Sequence, residues 1–138
     1  MGDRTTLFVE VLKSDRDAVV KLFGEPAQEN PDTSGPSSVF LVFDEVNYGG
    51  SDRLADLARS GVAFSARHEE GYDYWGMTFA ACKGRIAEVA SPFGELMVSV
   101  DGRTLEPSAS ELDELRRWRE IEDSVRALFA TAAPSSSA

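Results

Sequence analysis

The stretch from Val62 to Val100, VAFSARHEEGYDYWGMTFAACKGRIAEVASPFGELMVSV, decides the fold class. Four short runs in it, residues 62–67, 77–82, 85–90 and 95–100, carry the β-branched, aromatic and small apolar residues that suit a pleated surface. Turn residues separate them: Gly71, Lys83-Gly84 and Pro92-Phe93-Gly94, with Asp101-Gly102 after the last run. Glycine at such points supplies the positive φ that hairpin turns need. This spacing predicts an antiparallel meander. In residues 85–90, Ile86 and Glu88 share one face while Ala87 and Val89 share the other, which reads as an edge strand.

Outward from the meander the pattern alternates with helices. On the N-terminal side, residues 5–12 (TTLFVEVL) set Leu7, Val9 and Val11 against Phe8, Glu10 and Leu12, a strand with one face apolar. Ser14 with Asp15 and Asp17 marks a helix start, Val19, Leu22 and Phe23 make its apolar stripe, and Gly24 ends it. Residues 25–38 hold three prolines and no strong hydrophobe, and read as a long exposed loop. Val39 to Phe43 is a continuous apolar run, the mark of a central strand. Asn47-Tyr48-Gly49-Gly50 breaks it. A short helix follows, capped by Ser51 or Asp52 and closed by Gly61.

Beyond the meander, Ser108 and Glu111 have the spacing of a capping box. Leu112, Leu115, Trp118, Ile121, Val125 and Leu128 then recur every three or four residues, the stripe of a long C-terminal helix. The expected order is β-α-β-α-β-β-β-β-α. It implies an α+β fold with a five- to six-stranded mixed, mostly antiparallel sheet and helices packed on one face. Residues 1–131 form one domain in this reading, and residues 132–138 a disordered tail.

The chain has 138 residues with 24 acidic against 14 basic side chains, a net charge of −10. The excess is spread along the chain, so it speaks for solubility or a basic partner surface rather than for direct nucleic-acid binding. A single cysteine, Cys82, allows no disulfide within the chain and fits a cytoplasmic location. No apolar run is long enough for a membrane span.

Catalytic signatures are absent: no phosphate-binding loop, no GxSxG elbow, and too few histidines and cysteines for a zinc site. No catalytic residue, metal or cofactor is expected. The densest chemistry lies in two segments, Asn47 to Gly50 and His68 to Trp75. Together they hold all three tyrosines (Tyr48, Tyr72, Tyr74), Trp75 and the only histidine. Tyrosine and tryptophan offer rigid contact area with a polar handle. Asn47, Tyr48, His68, Glu69, Tyr72, Asp73, Tyr74 and Trp75 are therefore the candidate binding residues. The expected function is a small acidic, non-catalytic interaction protein using this aromatic-acidic rim. Its partner is another protein, with a second copy of the chain among the candidates. Two alternatives stand beside it. One is an acidic inhibitor of a nucleic-acid-binding protein, in the manner of anti-restriction or anti-CRISPR proteins. The other is a small-ligand or metal-dependent enzyme centred on His68, a reading that a pocket joining His68 to Cys82, or a bound metal, would strengthen.

Overall fold

The computed structural model describes residues 4–31, 37–71 and 74–132. In chain order it contains β1 (Arg4–Leu12), α1 (Arg16–Phe23), β2 (Gln28–Pro31), β3 (Ser38–Asn47) and α2 (Ser51–Arg59). There follow β4 (Phe64–His68), β5 (Met77–Cys82), β6 (Arg85–Ala90) and α3 (Ala109–Thr131). Among the described residues the strands form one six-stranded sheet in the order β2-β3-β1-β4-β5-β6, each neighbouring pair antiparallel. The fold is α+β, as the periodicities imply.

Strand alternation creates two apolar faces. Leu7, Val9 and Val11 of β1 share one with Leu41, Phe64 and Phe79, and Val19 of α1 and Leu54, Leu57 and Ala58 of α2 close over them. The opposite face presents Ala63, Ala80, Cys82 and Ala87, which receive Ile121, Val125 and Phe129 of α3. The helices thus occupy both faces, not one. A helix's own periodicity defines its apolar stripe but not the surface it meets. Here Ala63 just before β4, Ala80 of β5 and Ala87 of β6 leave room for a third helix behind the sheet. Each large side chain buried there contributes roughly 1.5–3 kcal/mol.

Two segments depart from expectation. Residues 95–100 do not form a strand; only an isolated bridge joins Val100 to Pro107. The outer edge of β6 is taken up by α3 instead: Glu88 N–H donates to Glu114 Oε2 at 3.2 Å, and Arg117 donates to the Ile86 carbonyl. Conversely, Gln28–Pro31, inside the expected loop, pairs with Val39–Val42 of β3. An edge strand needs backbone pairing more than apolar side chains, and it tolerates proline. Residues 32–36 of that loop and 133–138 of the tail lie outside the described residues.

Helix starts also differ in detail. Ser14 does not cap α1, which follows a short 3₁₀ turn over Lys13–Asp15. Neither Ser51 nor Asp52 caps α2, whose preceding residue is Gly50 in a left-handed conformation. For α3 half the capping box forms: Ser108 Oγ accepts from Glu111 N–H at 3.3 Å. The Glu111 carboxylate turns instead to the N–H and hydroxyl of Ser99, both at 3.1 Å. That contact ties the irregular segment before α3 to the helix start.

Candidate functional site: an aromatic cleft beside an acidic pocket

At the end of β3, Tyr48, Gly49 and Gly50 have successive φ values of +51°, +66° and +73°. The chain turns tightly there into α2, and packing fixes the choice of glycine. A Cβ on Gly49 would stand 2.1 Å from His68 Cδ2, and one on Gly50 would stand 2.5 Å from the Phe23 ring. The turn therefore lies flat on the His68 imidazole and carries Tyr48 past it into solvent, 55% exposed.

His68 ends β4 on the same face as Leu7 and Met77, its cross-strand neighbours. It is 4% exposed. Burial lowers its pKa below the ordinary value of 6.5, opposed by its hydrogen bond to the Glu69 carbonyl. The ring is thus neutral at pH 7, with Nδ1–H assigned as donor to that carbonyl at 2.9 Å. Tyr74 meets His68 edge-on at 5.4 Å between ring centroids and Tyr48 at 5.8 Å. Gly71 backs the Tyr74 ring: a Cβ there would come within 2.2 Å of it. Trp75 follows, 61% exposed.

Tyr48, His68, Tyr74 and Trp75 line one open cleft of about 580 Å³, completed by Ser51, Met77 and Glu88. The two aromatic segments noted in the sequence thus converge. Asn47 does not line the cleft. It pairs with Arg4 across the sheet and is exposed at the start of the turn. Tyr72 and Asp73 lie outside the described residues. Glu88 was not among the expected site residues, yet its signal was present: it shares a strand face with Ile86 on an edge strand, where a carboxylate would otherwise have faced the core. Partial desolvation, then the neighbouring charge of Glu114, raise its pKa.

Glu69 belongs to a second depression of about 680 Å³, lined by Arg4, Thr5, Thr6, Asp44, Glu45 and Glu70. β4 separates the two: His68 faces the aromatic cleft, and the next two residues face the acidic pocket. Glu69 N–H donates to the Thr6 carbonyl at 3.1 Å, and Glu70 Oε1 accepts from Phe93 N–H at 2.8 Å. Glu70 thereby holds Phe93, 85% exposed, near the same end of the sheet.

The pairing of His68 with Cys82 does not occur. Cys82 is at the far end of β5, buried on the α3 face with Ala80 and Ala87, while His68 points to the other face. Among the described residues no group of three His, Cys, Asp or Glu side chains stands close enough to hold a metal ion. Among them, too, no helix is long and apolar enough to cross a membrane. Compared with family models, curated protein sequences and solved structures, the chain matches none of them.

Proposed function

We propose that this chain is a non-catalytic binding protein that docks on a protein partner through the aromatic cleft and the acidic pocket at the end of β4. One observation carries the reading: Tyr48 and Trp75, from separate segments, stand largely exposed at the mouth of a single cleft. Large aromatics left in water at a shaped surface are the side chains that anchor interfaces. Asp44, Glu45, Glu69 and Glu70 beside them favour a partner with basic groups at its rim. A single buried cysteine accords with a reducing compartment such as the cytoplasm.

The two alternatives draw less support. For an enzyme centred on His68, the imidazole is buried with its Nδ1 engaged by the Glu69 carbonyl at 2.9 Å, and Cys82 lies on the other face of the sheet. For an inhibitor that mimics nucleic acid, a continuous acidic surface is needed. Many carboxylates here face arginines instead, as in Arg16–Glu29 at 2.7 Å and Arg119–Asp123 at 3.2 Å.

The test is capture of the partner from the source cell by the wild-type chain and by a Tyr48→Ala/Trp75→Ala variant, both checked for folding by circular dichroism. Loss of the captured protein with the variant is expected. Equal capture by both would remove this surface from consideration.

A further inference from the structure

Resting on that reading of the rim, we infer that the aromatic cleft receives a weakly hydrated organic cation of the methylated-ammonium class. Its head would sit against Tyr48, Tyr74 and Trp75, with its charge opposite Glu88. The rings supply the first half of the recognition. Tyrosine and tryptophan faces carry negative electrostatic potential, and several rings around one space attract a cation whose charge is spread over methyl groups. Tyr48 and Tyr74 pack against one another with centroids 5.8 Å apart at 44°, so together they form one aromatic wall of the cleft, which Trp75 also lines.

Charge supplies the second half. Glu88 is the only carboxylate lining the cleft among the described residues, where neither lysine nor arginine appears. Its carboxylate makes no ion pair among those residues, and its surroundings, Glu114 included, disfavour the charged form. A cation in the cleft relieves that strain. A neutral apolar guest would desolvate the carboxylate without compensation, and an anion would be repelled. The neutral His68 beneath adds no opposing charge at pH 7. The acidic pocket across β4 extends the negative field toward the mouth of the cleft. An unmodified ammonium fits less well, because its three N–H donors are strongly hydrated and aromatic faces do not replace that water.

The same head group occurs on free quaternary amines and on methylated lysine side chains of a partner, so the test has an arm for each. Calorimetric titrations would compare choline with its neutral analogue of the same shape, 3,3-dimethylbutan-1-ol. A trimethyl-lysine peptide would be compared with its unmodified counterpart. In each pair the methylated cation is expected to bind about tenfold or more tightly than its control, the peptide pair leading if the source is a protein. Trp75→Ala and Glu88→Gln, both at solvent-facing positions, are each expected to weaken binding about fivefold with unchanged circular dichroism. Equal affinity for choline and the alcohol overturns the cation inference while leaving a ligand-binding cleft in place. No binding of either cation also overturns it. Selective cation binding together with unchanged partner capture by the Tyr48→Ala/Trp75→Ala variant would instead overturn protein docking and leave the cation site standing.

Discussion

At Gly49 the backbone lies at φ +66°, and any Cβ would overlap the imidazole of His68. Gly49→Ala is expected to cost on the order of 3 kcal/mol, from left-handed strain plus the clash. Because His68 supplies the clashing atoms, adding His68→Ala should recover part of that loss, measured by urea denaturation; strict additivity would show that the contact is not the cause. A second residue-scale consequence concerns Glu122. Its Oε1 is buried without a hydrogen bond, while its Oε2 meets Arg126 at 3.1 Å. Burial raises its pKa, partly offset by Arg126 and Ser65. A carboxyl with a raised folded-state pKa contributes stability that is whole below the unfolded value, about 4.3, and is lost as pH rises through the folded value. Glu122→Gln should therefore gain on the wild type as pH rises from about 4 to about 8. Denaturation midpoints at both pH values check this, and a variant that instead loses ground would contradict the assignment.

Among the elements, α3 owes its position to two kinds of contact. The apolar stripe through Ile121 and Val125 was legible from three- and four-residue spacing, and so was the Ser108 cap; at the end of the stripe the fully buried residue is Phe129, while the expected Leu128 is only partly buried. Ser108→Ala should cost about 1 kcal/mol, readable as a lower denaturation midpoint. What spacing could not show is that α3 also occupies the edge of β6 through Glu114 and Arg117. Those two side chains lie on the polar side of the helix pattern, where charges ordinarily face water. Their removal leaves backbone groups of β6 open to pairing with another chain. A Glu114→Ala/Arg117→Ala variant is expected to self-associate at concentrations where the wild type does not, as seen by light scattering. An unchanged molar mass would show that the edge is protected by other means. With α3 along that edge, residues 95–100, apolar enough for a strand, touch β6 at its end, where Met97 N–H donates to the Ala90 carbonyl at 2.9 Å. The short β2 is the reverse case, since its polar side chains concealed a pairing made by backbone alone.

For the whole molecule, charge and topology decide different things. A net charge of −10 on 138 residues repels itself, whereas exposed pairs such as Arg116–Asp113 contribute little. Raising the ionic strength from about 0.02 to about 0.5 M should therefore raise the melting temperature by a few degrees. A fall on scanning calorimetry would mean that ion pairs outweigh the repulsion. Local pattern determined the α+β class, the Lys83-Gly84 hairpin, the long last helix and the concentration of aromatics in two segments. Each of these rests on residues near one another in the chain, whose spacing is fixed by helix and strand geometry. Tertiary structure alone decided that Tyr48 meets Tyr74, that Glu88 joins them, that Cys82 stands away from His68, and that helices cover both faces. Those outcomes depend on strand order and register, because a one-residue slip sends every side chain of a strand to the opposite face.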